Sequence, residues 1–251
     1  MSQGYPKTAL TSEFLLRVAQ GRVPGHSLQY VHAYASAIGT TEILVWPKNV
    51  PYTFNDSTTT TLYLTSTNAA DTDKFVRIHW LDGEHKRQTS TLQLNGTTPV
   101  VIGVGVRVNR MFTIGVNKTL GDVYVSNALT HTAGEPTVVT TVAYYTAKTQ
   151  TRSMLLYTVP AGHTAYGIDG YFSSAKGKDT DFFWNVRNPL GLLPEINTNV
   201  VSVYESTVVI PFDWTSIPEK TDAFFTASAS ASAGRVSSRI PVLVVDNDYV
   251  K

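Results

Sequence analysis

The chain has 251 residues, of which 42% are hydrophobic and only 16% charged, with a formal net charge of +1 and no cysteine. Charge this far below the roughly 25% of average soluble proteins leaves a surface rich in Ser, Thr, Asn and Gly. Without a dense Lys/Arg run it lacks the electrostatic footprint of a nucleic-acid binder. The lack of cysteine excludes a disulfide framework, thiolate metal sites and a Cys nucleophile.

Such a surface suits a subunit packed against copies or partners, although secreted adhesins and carbohydrate-binding modules share the bias. The length allows one large β-domain or two modules, each able to bury a core. The start, Met1-Ser2-Gln3-Gly4-Tyr5-Pro6-Lys7, lacks the basic and apolar regions of a secretory signal, and no apolar run approaches the about 18 residues of a membrane span. Synthesis in a cytoplasm is expected, so the Asn-x-Ser/Thr triplets at Asn55, Asn95 and Asn117 carry little weight.

Taken in chain order, the first element is a short helix. Thr11 or Ser12 is a candidate cap for Glu13 to Gln20, Gly21 ends it, and Phe14, Leu15 and Val18 share one side. So short a helix is marginal alone in water and must dock on something. Val23-Pro24-Gly25-His26 then reads as a turn or extended arm.

From Glu42 the apolar period switches to two, with turn residues every ten positions or so, as in a sandwich or jelly roll. Phe75 to Leu81 alternates, Asp82-Gly83 turns, Thr91 to Leu94 follows, Asn95-Gly96 turns again, and Val104 to Val108 and Asp122 to Val125 complete a first module. Asn127 to Pro136 reads as a linker. A second module is expected to hold strands at Val138 to Tyr145, Met154 to Val159, Tyr166 to Phe172, Phe182 to Val186, Val200 to Tyr204, Val208 to Phe212, Ala223 to Ser232 and Ile240 to Val245. Within it Thr226 to Gly234 carries small residues on both faces, as an exposed or interfacial strand or a flexible linker. The expected class is therefore all-β: two tandem jelly-roll-like β-sandwich modules, residues 36–130 and 131–251, behind a helix and arm at 1–35.

An internal likeness supports the tandem reading. Tyr63 to Phe75 aligns without gaps on Tyr171 to Phe183, sharing Tyr, Ser, Asp, Thr, Asp and the final Phe, and Val50-Pro51 and Val159-Pro160 precede the two copies at similar offsets.

Chemical signals are weak. His26, His32, His79, His85, His131 and His163 lack the spacing of a metal or hydrolytic site, and His79 reads as a surface-facing strand position. Gly103-Val104-Gly105 has no third glycine and no helix, and marks a bulge rather than a dinucleotide fingerprint. Asp71/Asp73 and Asp179/Asp181 are paired carboxylates, but a Ca²⁺ ion wants six to eight oxygens and neither loop supplies them, so turn residues bonding their own backbone account for both pairs. Asp246-Asn247-Asp248 reads as a solvated tail. Trp46, Trp80, Trp184 and Trp214 leave open an aromatic sugar platform, with packing the better account and at least one of Trp80 and Trp184 in the core. No motif marks the paired carboxylates of a glycan hydrolase among the 19 acidic residues.

Four segments together resemble a family of virion structural proteins of tailed bacteriophages, of the marine and cyanophage type, over nearly the whole length. They are Val18 to Ser27, Leu94 to Val100, Tyr157 to Tyr166 and Ile217 to Asp222. The resemblance implies a non-enzymatic virion subunit without cofactor or metal, working through contacts with other virion proteins as a homo-oligomer, a trimer being favoured. A capsid-associated decoration protein is the first expectation and a tail, collar or fibre-base protein binding a receptor or glycan the second. The interface expected for either is the N-terminal helix and arm: Phe14, Leu15, Val18, Gly21, Pro24, Gly25 and His26.

Overall fold

A computed structural model describes residues 12–54, 59–175, 179–188, 196–204, 206–211, 216–230 and 234–250, the backbone alone at 12, 196–201 and 211. The described elements begin with helix α1 (Ser12–Ala19) and strands β1 (His26–Ile38), β2 (Ile43–Leu44), β3 (Thr60–Ser66), β4 (Phe75–Asp82) and β5 (Arg87–Gln93). Next come β6 (Val100–Ile114), β7 (Val123–Ser126), β8 (His131–Thr132), β9 (Glu135–Pro136), β10 (Thr141–Tyr145) and β11 (Leu156–Thr158). The chain continues through β12 (His163–Gly167), β13 (Asp169–Ser174), β14 (Asp179–Arg187), β15 (Ile196–Tyr204), β16 (Thr207–Pro211), β17 (Ser216–Ile217), β18 (Asp222–Ala229) and β19 (Gly234–Asp246). Among the described residues the molecule is all-β but for one short helix and two 3-10 turns, and its strands form jelly-roll-like sandwiches.

Three sheets share two cores. An outer sheet runs β16-β13-β19-β12-β17 with β1 on β19; a central sheet runs β11-β18-β14-β15 with β2 on β18; a third runs β10-β7-β3-β6-β4-β5. Alternation along β18 explains how the central sheet serves both cores: Ala223, Phe225, Ala227 and Ala229 point towards the outer sheet, while Phe224 packs with the third. The strand β11 divides in the same way, with Tyr157 in the first core and Leu156 in the second. A buried ion pair crosses the same junction. Arg107 on β6 donates from Nε and Nη2 to Asp222 on β18 at 3.1 and 2.9 Å, and Thr158 Oγ1 adds a third bond to Asp222 at 2.5 Å.

Strand pairing runs across the boundaries that the sequence suggested. Within the expected arm, residues 26–35 belong to β1, hydrogen-bonded to β19 from His26↔Val245 onward, and Val31, Ala33, Ala35 and Ile38 sit in the core of the C-terminal unit. The expected linker at 127–136 contains the β8–β9 hairpin, turned by Ala133 and Gly134 at φ 49° and 80°. The strand β10, assigned by sequence to the second module, pairs with β7 and completes the third sheet. Long-range pairing decides these boundaries, and turn composition does not report it.

The aligned segments also differ in place. Both span the end of one strand and the start of the next, but β3 and β4 lie in one sheet on either side of β6, whereas β13 and β14 lie in two sheets facing across a core. Residues 176–178 of the second copy lie outside the described residues. Gly103 and Gly105 do adjoin a bulge, between Leu62 and Tyr63 of β3 and the facing β6 residues. A side chain at either glycine would strike the indole of Trp80, which is why glycine recurs there.

Candidate interaction face

The strand β19 carries its own map of what covers the outer sheet. Arg235, Ser237 and Arg239 alternate outward and exposed against buried Val236, Ser238 and Ile240; beyond Pro241 every residue from Val242 to Val245 is buried. Pro241 is tolerated in mid-sheet because the neighbour on one side changes there from β12 to β13, leaving little ladder to break. The outward residues of the second half, Leu243 and Val245, are capped by α1, whose Val18 is buried on them with Phe14, Leu15, Leu28, Tyr166 and Ile168 around it. The helix takes one half of the sheet's outer face and leaves the other open.

On that open half the register aligns two rows across four strands. One runs Val209, Tyr171, Arg239, His32 and the other Thr207, Ser173, Ser237, Tyr34. Tyr171 and Val209 are 43% and 52% exposed, and Tyr30, 48% exposed, lies under the Arg239 guanidinium with Cζ 4.5 Å from its ring centroid. Aromatic side chains and arginine gathered on an open sheet face are the composition of a contact surface. Over the rows lies an opening of about 380 Å³, where the hydroxyl residues Tyr34, Ser153, Ser173, Thr207 and Ser237 stand among Tyr171, Phe172, His32 and Arg239.

The residues expected to form an anchor are gathered together, but on the molecule itself. The helix ends in a Schellman motif, with Gly21 at φ 68° donating to Val18 O at 2.9 Å and Arg22 donating to Arg17 O at 2.9 Å. Phe14 and Leu15 are half-buried on the sheet, and Leu16, 56% exposed, is the large apolar residue the helix presents outward. Gly25, also at φ 68°, abuts the Tyr249 ring, and the His26 ring stands edge-on to Phe14 at 5.8 Å and to Tyr249 at 6.1 Å. The capping role suggested for Thr11 or Ser12 lies outside the described side chains.

Sequence reasoning missed a second use of the same device. Gly25-His26 and Gly162-His163 open the two strands that flank the end of β19, with both glycines at positive φ (68° and 74°). Each histidine Nδ1 lies 2.8 Å from the carbonyl two residues back, at Pro24 and Ala161, and each glycine carbonyl accepts from the end of β19, from Asp246 N and Asn247 N. The repeated Gly-His after a Val-Pro was the available signal.

The paired carboxylates separate. Asp71 is buried and accepts from Ser66 Oγ at 2.6 Å, Leu120 N at 2.9 Å and Gly121 N at 3.0 Å, while Asp73 is exposed and pairs with Lys74 at 2.6 Å. Asp181 accepts from Ser202 Oγ at 2.5 Å. Among the described residues no group of three or more His, Cys, Asp or Glu is placed to hold a metal ion, and no helix is long and apolar enough to cross a membrane. Trp46 is buried with Nε1 donating to Val50 O, Trp80 is buried with Nε1 donating to Ser90 Oγ, and Trp184 packs at 4.8 Å on Phe225; Trp214 lies outside the described residues. His79 is half-buried on β4, stacked on Phe112 at 6.1 Å. The pKa values of His32, His79 and His85 are lowered, first by burial and then by nearby arginines.

No protein-family model matches the chain, and no curated protein matches it. Among solved structures it is similar to the structure of infectious bursal disease virus Gt strain, at 11% identity and TM-score 0.25 over 94% of this chain and 78% of that one. It is also similar to the infectious bursal disease virus VP2 subviral particle, at 11% and 0.22 over 90% and 74%. A vicilin from Solanum melongena follows, at 9% and 0.17 over 97% and 79%. TM-scores this low carry no argument about fold or function.

Proposed function

We propose that the protein is a non-enzymatic virion structural subunit, most simply a capsid-associated decoration protein that works through contact area. The observation that carries the reading is the half-covered outer sheet: α1 covers one half, and the rows through Tyr171 and Arg239 leave an aromatic and cationic face for a neighbour. The sequence resemblance to tailed-phage virion proteins points the same way. In this reading the N-terminal anchor, Phe14 to His26, acts indirectly, by fixing the helix whose outward Leu16 joins the contact surface. Stable subunit contacts of this kind bury upward of about 1,200 Å² in total. Cryo-EM of the parent particle, with the full-length protein run in parallel by analytical ultracentrifugation, tests the reading. It expects the chain on the particle with the Tyr171 face buried, and a trimer is the assembly it favours; purified virions lacking the chain would end it.

A second reading is favoured by one feature. The opening over the rows, where hydroxyls stand beside Tyr171 and Phe172, suits a receptor or glycan, as a tail, collar or fibre-base protein requires. Adsorption of purified protein to host cells separates the two, since a decoration protein binds capsids and leaves cells bare.

A further inference from the structure

Next to the open face, where the outer sheet meets the third sheet, a recess of about 80 Å³ is lined by His32, Arg110 and Arg152 together with Tyr30 and Thr151. Its volume is several times the roughly 10–15 Å³ that a single water needs. The ionisable side chains that line it, apart from Tyr30, are all basic. Arg110, Arg152 and Arg239 all act on His32, and no carboxylate is among the charged groups that do. Among the described residues none of these three arginines forms an ion pair. Arg110 lies 4.8 Å over the Phe112 ring and Arg239 4.5 Å over that of Tyr30. In a chain of net charge +1 this is a concentrated cationic site.

Arg152 is the decisive member. It is only 5% exposed, its Nη1 is turned onto the carbonyls of Asn109, Met154 and Leu156, and its buried Nε has no hydrogen-bond partner. Asp222, already paired with Arg107, acts on this guanidinium without forming an ion pair with it, and burial prevails, pulling it down to about 10. Neutral carbonyls take its Nη1 protons, and the Nε proton stays unmatched.

We infer that this recess is a binding site for a small oxyanion, held by Arg152 from below and by Arg110 and His32 at the mouth. Phosphate, sulfate and carboxylate share the required chemistry: a compact negative charge with several acceptor oxygens matching planar guanidinium donors. The adjoining opening, which shares His32 with the recess and carries Arg239 on its own wall, gives room for the body that carries the anion, and the buried Ser238 Oγ on that wall is also without a partner.

The test is a titration of the full-length protein with sodium sulfate against sodium chloride at matched ionic strength. It is followed by the ring signals of His32 in NMR, assigned with H32Q. Expected are a saturable sulfate response, a rise in the His32 titration midpoint as the anion offsets the neighbouring arginines, and tighter binding as pH falls and the imidazole charges. R110Q, at an exposed position, folds as wild type in chloride and weakens sulfate at least roughly tenfold, and R152Q does the same where it folds. An acetate arm assigns the source: competition points to a carboxylate, and its absence to a tetrahedral oxyanion. A response to sulfate that is linear and equal to that of chloride, or one undiminished in R110Q, overturns the assignment.

Discussion

Asp222→Ala is expected to be among the most damaging single substitutions, because it removes the anion from the junction of the two cores. Asp222 is fully buried and accepts three bonds, two from Arg107 and one from Thr158, while Arg107 is itself only 3% exposed. Arg107 would lose both of its bonds to the Asp222 carboxylate while keeping Val106 O at 3.0 Å, for a charge it cannot release. Removing one partner of such a pair costs about 3–5 kcal/mol, whereas replacing both with apolar residues of similar size is often close to neutral. Urea unfolding of D222A, R107L and R107L/D222L, monitored by tryptophan fluorescence, gives the cycle: D222A falls by about 3–5 kcal/mol and the double variant recovers much of it. A D222A loss below about 1 kcal/mol, the range of an exposed pair, or a double variant worse than the sum of the singles, would refute the argument that the charge is buried and mutually dependent.

Other consequences can be checked with less. Gly25→Ala places a methyl in the Tyr249 ring and holds an L residue at φ 68°; a loss of about 1–3 kcal/mol in thermal or urea unfolding is expected. Asp71→Ala leaves Gly121 N and Ser66 Oγ without their buried acceptor, costing about 1–3 kcal/mol, with amide exchange quickening first at Leu120 and Gly121. His32, His79 and His85 all have lowered folded-state pKa values, so the unfolded chain takes up protons first. Stability is then full above the ordinary histidine value of about 6.5 and declines as pH falls through the window beneath it; H79Q should flatten that slope in pH-dependent urea midpoints. Tyr171→Ala combined with Val209→Ser should leave the melting temperature within a few degrees of wild type and reduce self-association or particle binding in sedimentation. Unchanged assembly would remove this face from the contact surface.

Much of the local order was legible in the sequence because it is written locally. The alternation of β4, the helix with Val18 inward and Gly21 at its end, the turn at Gly96 and the bulge by Gly103 each follow from a few neighbouring residues. Even the half-covered face is encoded, in the change along β19 from Arg235-Val236-Ser237-Ser238-Arg239 to an unbroken apolar run. What the chain sequence did not disclose was which strands become neighbours. His26 pairs with Val245 and Arg107 meets Asp222, contacts whose register depends on sheets assembled from distant segments. Hence residues 26–35 of the supposed arm form a core strand, and β10 pairs with β7 in the third sheet. The cationic recess has the same origin: His32, Arg110, Arg152 and Arg239 stand on four separated stretches, each an ordinary polar position alone. Only the folded arrangement confines their like charges at one junction, because electrostatic energy depends on distance in space and is indifferent to distance along the chain.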